Sequence, residues 1–323
     1  MASEATAPPG LSVVVPVYGN EATLPAVLEQ MAALAGAIAG ELEVVFVVDG
    51  SPDNSLLLLR QRLLEPHPFR SQLVALSRNF GAFSAIRVGL EAAESEIVTV
   101  VAADLQEPLS LTVAFYEALA SGEHDVAVGV REQRDDPWTS RTTASIFWRL
   151  YRRLVQREMP VRGLDVFACT RQVVAQLLRL EESHTSLVGL LLWVGFRRVE
   201  IPYDRIARAE GKSGWSVRKK LRYLLDSAYS FSDLPVHLIT GIGIVGVLGS
   251  TIIGLVVFVA WLTGSIGVAG YTPMILALVF TGSSTLLSLG VIGSYVWRTY
   301  ENTKGRPGAI TMGVDRFPAD SDR

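Results

Sequence analysis

The chain has 323 residues, is 49% hydrophobic and carries a formal net charge of −3. That near-neutral balance excludes bulk electrostatic binding of nucleic acid. The single cysteine, Cys169, excludes an internal disulfide and a Cys-based zinc site. The length allows about two domains, and the hydrophobic excess behind the mean hydropathy of +0.33 is unevenly placed. Residues 1–233 read as an α/β enzyme, whereas Leu234 to Trp297 contains no Asp, Glu, Lys or Arg.

Residues 1–10, MASEATAPPG, form a leader without the basic region and apolar core of a signal peptide, so the front domain is expected in the cytoplasm. Short apolar runs then alternate with helical patterns. Leu11–Val17, Leu42–Val48, Leu73–Leu76, Ile97–Ala102 and Val126–Val130 read as buried strands. Pro25–Ala39, Asp53–Leu64 and Phe83–Ala93 read as the helices between them. This alternation predicts right-handed βαβ units and a mostly parallel sheet with helices on both faces. Ligands bind such sheets beyond the carboxyl ends of the strands. Asp49, Arg78-Asn79 and Asp104 follow the second, third and fourth strands, so they are expected at one site.

Arg141–Arg157 has apolar residues at helical spacing, with Arg149, Arg152, Arg153 and Arg157 between them. Residues 215–233 begin as a second basic amphipathic stretch, with Arg218, Lys219, Lys220 and Arg222 leading into the uncharged run. Helices of this kind lie in a membrane interface, or else pack on a core with solvated arginines. The uncharged run has room for two spans of roughly 20 apolar residues, about 235–262 and 273–297. Arg298, Lys304 and Arg306 follow it, so the positive-inside rule places both ends in the cytoplasm. The expected organisation is a catalytic domain over 11–214, a juxtamembrane helix over 215–233, a transmembrane hairpin over 234–298 and a cytoplasmic tail over 299–323. The GxGxxG match at Gly241, Gly243 and Gly246 lies inside the apolar run with no acid about 20 residues on, so it is a helix-packing surface and not a dinucleotide site.

The segments VPVYGNE (Val15–Glu21), VVDGSPDNS (Val47–Ser55), SRNFG (Ser77–Gly81) and AADLQEP (Ala102–Pro108) occur in order at strand ends. Together with GKSGW (Gly211–Trp215) and the apolar hairpin, they resemble family 2 glycosyltransferases of the GT-A fold. The closer resemblance is to the polyprenyl-phosphate branch, that of dolichol-phosphate mannose synthase and undecaprenyl-phosphate glucosyltransferases. It implies inverting transfer of a hexose from a nucleotide-sugar, UDP-glucose first and GDP-mannose next, to a polyprenyl phosphate at the cytoplasmic face of the inner membrane.

The resemblance also implies roles for residues. Pro16, Tyr18, Glu21, Asp49, Asp53, Arg78, Asn79, Ala103 and Asp104 would bind the donor. Asp49 suits base or ribose hydroxyls, while Asp53 supports its loop or caps the following helix. Arg78 meets phosphate or orders the loop. A divalent metal, Mg or Mn, would offset the leaving diphosphate. The family's Asp-x-Asp is Ala102-Ala103-Asp104 here, leaving Asp104 as the main ligand and Gln106 as a second. Arg131, Arg141, Arg205, Arg208, Lys212 and Ser213 would receive the acceptor phosphate. Asp165 would act as a base or an orienting group. Self-association into a homo-oligomer is compatible with the sequence. The competing readings are a non-catalytic membrane scaffold that keeps the fold and a processive polysaccharide synthase, whose Gln-x-x-Arg-Trp motif the chain lacks.

Overall fold

The computed structural model describes residues 8–131, 166–180, 187–206 and 271–320, with isolated positions between 241 and 263. In chain order the described elements are β1 (Leu11–Val17), α1 (Leu24–Ala37), β2 (Leu42–Val48), α2 (Ser55–Arg62), β3 (Arg70–Leu76), α3 (Ala82–Ala92), β4 (Ile97–Val100), α4 (Leu109–Ala120) and β5 (Val126–Arg131). They continue with β6 (Phe167–Thr170), α5 (Arg171–Arg179), α6 (Leu187–Trp193), β7 (Arg198–Tyr203), α7 (Tyr271–Thr303) and β8 (Thr311–Phe317). The strands form one sheet in the order β7-β5-β6-β4-β1-β2-β3-β8. β1 is parallel to β2 and β4, β2 to β3, and β5 to β7. Only β6 and β8 run against their neighbours. The result is a GT-A-like, mostly parallel α/β sheet.

The apolar runs in β1 and β2 follow from covering both faces of a parallel sheet. Val13, Val15, Phe46 and Val48 enter one core layer with Leu34 of α1, Leu59 of α2 and Phe115 of α4. Val14, Val45 and Val47 enter the other with Leu90 of α3 and Val173 of α5. At the amino ends of the strands Glu43 is buried but fully used. It accepts from Ser12 Oγ, from Gln72 Nε2 (2.8 Å) and from the Glu94 main-chain N–H (2.8 Å). Buried charge is tolerated when its oxygens are satisfied in this way. Cys169 lies within β6, and burial pushes its thiol up to about 12 against the opposing pull of Arg171, so it stays protonated and unreactive.

β6, β7 and β8 lie beyond the five strands read from the sequence. β6 has only four residues, and β7 (RVEIPY) carries charges and a proline, as edge strands do. β8 comes from the segment read as a tail, and it closes the β3 edge after the whole apolar run has intervened. Phe317 enters the core, Arg60 bridges to Asp315 at 2.8 Å, and the Ser77 N–H donates to the Ile310 carbonyl at 3.0 Å. The sheet is therefore completed by residues from 299–323.

α7 runs for 33 residues. Among the described residues no helix is long and apolar enough to cross a membrane. The side chains of Ile275, Leu276, Val279 and Phe280 in α7 lie outside the described set. The two-helix transmembrane hairpin expected from the sequence is thus not shown. The basic stretches at 141–157 and 215–233 also lie outside the described residues.

Candidate active site

The strand order reverses at β1: the chain builds outward through β2 and β3 on one side, then crosses to β4 on the other. Such a switch point opens a crevice at the carboxyl ends of the strands. The loops after β1, β2, β3 and β4 carry Tyr18–Glu21, Asp49–Asp53, Arg78-Asn79 and Ala103–Gln106, so the predicted donor residues meet at this edge. Arg131 ends β5 and Arg205 follows β7, on the same edge.

The first two loops hold each other. Asp53 accepts from the Glu21 main-chain N–H (3.0 Å), Ser51 Oγ (2.6 Å) and the Ser55 N–H (3.1 Å). Ser51 Oγ in turn accepts from the Gly19 N–H at 2.8 Å, and Glu21 accepts from the Asn54 N–H at 3.0 Å. Asp53 is therefore more than a local cap. Burial would raise its pKa, but the bonds from Ser51, Ser55 and Glu21 outweigh burial and lower it to about 2. A depressed carboxylate stabilises the fold above its unfolded pKa of 3.8, and that contribution is lost as pH falls through about 2. Asp53→Asn is accordingly expected to lower the melting temperature at pH 7, with the difference from wild type shrinking between pH 4 and pH 2. A difference independent of pH would remove Asp53 ionisation from the loop lock.

Asp49 is 3% exposed, and its two oxygens accept from the Phe80 N–H (2.7 Å) and the Gly81 N–H (2.8 Å). The residue predicted to meet the nucleotide thus holds the β3–α3 loop from beneath. Gly50 sits beside it at φ +56, where a Cβ would lie 2.3 Å from the Arg78 carbonyl carbon, so only glycine admits this approach. Above them Arg78 is exposed, stacked on Phe80 at 4.2 Å, with a bond to the Asn79 carbonyl at 3.3 Å. Its guanidinium orders the loop and still presents donors to solvent. Pro16 is half-buried in β1, and Tyr18 is exposed at the rim.

After β4, Ala103 is buried and its carbonyl accepts from Thr23 Oγ1 at 2.7 Å, which ties this loop to the start of α1. Asp104 is half-buried, with the Gln106 N–H 3.4 Å from its Oδ1. Leu105 between them has φ +56, a left-handed conformation that a leucine keeps only when its surroundings impose it. Gln106 Oε1 accepts from Arg205 Nη2, and the Gln106 carbonyl accepts from the Ile206 N–H at 2.9 Å. The predicted second metal ligand and a predicted acceptor arginine are therefore bonded to each other.

Among the described residues no group of three or more His, Cys, Asp or Glu side chains could hold a metal ion. Asp104 alone fits a hard cation that takes most of its ligands from water and a diphosphate, as Mg²⁺ does, but not an all-protein cage. Asp165, Arg141, Arg208, Lys212 and Ser213 lie outside the described residues. Thr23, Ser51 and Asn54 tie the loops together, roles that their residue types alone do not reveal. Ser51 and Asn54 fall inside the VVDGSPDNS segment, but their partners are other loops that only the fold brings near.

A mostly parallel sheet with polar loops gathered at its switch point defines a GT-A-like α/β fold. The model of "Glycosyl transferase family 2" matches residues 12–177. An uncharacterized glycosyltransferase of Synechocystis sp. is 31% identical over 92% of this chain and 93% of its own length. An undecaprenyl-phosphate 4-deoxy-4-formamido-L-arabinose transferase of Aeromonas hydrophila is 29% identical over 92% and 91%. A prophage bactoprenol glucosyl transferase homolog of Escherichia coli is 27% identical over 95% and 99%. The chain belongs to glycosyl transferase family 2.

Proposed function

We propose that this glycosyltransferase moves a hexose from a nucleotide-sugar to a polyprenyl phosphate at the cytoplasmic membrane face. The observation that supports the proposal is the bonding of the Asp104 loop to the Arg205 segment, which joins a loop assigned here to the donor and an arginine assigned here to the acceptor. The names of the relatives from Aeromonas hydrophila and Escherichia coli support the acceptor class. UDP-glucose is the first donor to test and GDP-mannose the second. A thermal-shift panel of nucleotide-sugars against the purified protein tests this choice. Stabilisation by neither would reject both.

In this mechanism an oxygen of the acceptor phosphate attacks the anomeric carbon, the bond to the diphosphate oxygen breaks on the opposite face, and the nucleoside diphosphate leaves with inversion. A phosphate monoester has a second pKa near 6 and is largely dianionic at pH 7, so it needs little help from a base. Asp165 is accordingly assigned to orient the reactants. A divalent cation, when bound, supplies charge neutralisation for the leaving diphosphate, and Asp104 with Gln106 would hold it. The loops fixed by Asp49 and Asp53 orient the nucleotide. The arginines offset repulsion between two anions. Arg131, at the end of β5, is assigned to the acceptor phosphate. Charge-assisted bonds to phosphate contribute about 1.5 to 3 kcal/mol, so Arg131→Ala is expected to lower kcat/KM for the lipid phosphate about tenfold or more while nucleotide-sugar binding is kept. Lost donor binding with unchanged lipid kinetics would reverse the assignment of sides.

Membrane insertion belongs to the same proposal. The uncharged run from Leu234 to Trp297 supports it. So do large apolar side chains that are each more than half exposed: Val245, Leu248, Ile252, Leu255 and Val259 at helical spacing, and Leu278, Leu289, Ile292 and Val296 on α7. β8 sets the parity of crossings. It lies in the same sheet as β1–β3, so a crossing by α7 requires another crossing between residues 206 and 271. A cysteine at position 267 is expected to react with an impermeant reagent from outside intact cells, and one at position 3 is not. The buried Cys169 adds little background. The reverse labelling pattern would overturn the topology.

A further inference from the structure

The clasp between the β4 loop and the segment after β7 turns on one oxygen. Gln106 Oε1 accepts from Arg205 Nη2, while Gln106 Nε2 donates to the Ile206 carbonyl at 3.5 Å. The amide orientation follows from chemistry, because a guanidinium only donates and a peptide oxygen only accepts. Oε1 is the one strong side-chain acceptor of Gln106, and it is also the atom that would reach a cation beside Asp104. A guanidinium and a divalent cation on the same oxygen repel each other, so Arg205 and that cation compete for it. Leu105, next to Gln106, has a left-handed backbone, and the loop is held by the Leu105 N–H bond to the Ala102 carbonyl (3.4 Å) and the Ile206 N–H bond to the Gln106 carbonyl (2.9 Å).

We propose that Gln106 is an exchange switch between the two substrate sides. Binding of the donor diphosphate with its cation draws Oε1 away from Arg205, and the released guanidinium turns to the phosphate group of the acceptor. The donor then prepares the acceptor site, and by linkage the acceptor tightens donor binding by the same factor. This rests on the proposed function, in which Asp104 faces the donor and Arg205 faces the acceptor. It adds an order and a coupling that the separate assignments lack. Gln106 acts through Arg205 and is in that respect a positioning residue.

The test is a titration of the full chain in nanodiscs with farnesyl phosphate, with and without UDP and Mn²⁺, read by calorimetry. The wild type is expected to bind farnesyl phosphate about tenfold tighter when UDP and Mn²⁺ are present, the effect of one released charge-assisted bond. Gln106→Ala is expected to bind it about tenfold tighter than wild type without UDP and Mn²⁺, and to gain little from adding them. Gln106→Glu, which grips Arg205 more strongly, is expected to bind it more weakly than wild type without them. A merely structural Gln106 would not improve binding when removed. Equal coupling in wild type and Gln106→Ala overturns the exchange alone. If no variant binds farnesyl phosphate under either condition, the acceptor reading falls, and the exchange with it.

Discussion

Asp104→Asn is expected to reduce sugar transfer at least about a hundredfold while leaving the fold intact. Asp104 is the carboxylate left at the end of β4, where Ala102 stands in place of the family's first aspartate. It lies in the switch-point crevice, half-buried and beside the Gln106 clasp. Stabilising charge on a leaving group contributes several kcal/mol in mutational series, and roughly 2.7 to 4 kcal/mol corresponds to a hundred- to a thousandfold in rate. Asparagine keeps the size and one acceptor oxygen but removes the charge, so the melting temperature is expected to change little. Near-wild-type turnover in this variant would take Asp104 out of the mechanism. Chelation is expected to inhibit the wild type by the same route, and added Mn²⁺ to restore it.

Asp49→Ala is expected to lower donor affinity about tenfold or more and to destabilise the fold by about 2 to 3 kcal/mol. Both oxygens of Asp49 hold main-chain N–H groups at Phe80 and Gly81, and the carboxylate is shielded from solvent. Removing it strands two donors in a half-buried place, which typically costs about 1 to 3 kcal/mol each before relaxation. The loop that carries Arg78 then loses its floor. Amide exchange read by mass spectrometry is expected to rise over residues 77–81 in this variant. If Asp49 met the nucleotide base directly, donor affinity would fall without faster exchange in that loop.

The strand ends were legible because a parallel sheet buried on both faces demands continuous apolar runs, and LSVVVPV, LEVVFVV and IVTV supply them. The polar residues after each run then mark the site. What the sequence left hidden depends on long-range pairing. Nothing in TMGVDRF points to a partner in β3, more than 230 residues earlier, yet its backbone completes the sheet. Asp49 reads as a ligand when only its chemistry is considered, whereas its burial and two N–H donors give it a loop to hold. Gln106 and Arg205 each carried a separate expectation, and their bond arises only because β7 follows β5 at the far side of the sheet. Helix boundaries shifted for local reasons. α2 begins at Ser55 rather than Asp53, because Asp53 is committed to the loop before it.

The central claim is transfer of a sugar to a lipid phosphate, and the most direct measurement is a transfer assay with purified full-length protein. Undecaprenyl phosphate in nanodiscs, Mn²⁺ and nucleotide-sugars labelled in the sugar are incubated, and the lipid fraction is extracted. The account predicts label in a polyprenyl-phosphate sugar of inverted anomeric configuration, formed with UDP-glucose or GDP-mannose and lost in Asp104→Asn. Turnover that releases only free sugar, or no turnover with any nucleotide-sugar, would contradict it and favour a scaffold that keeps the fold without the chemistry.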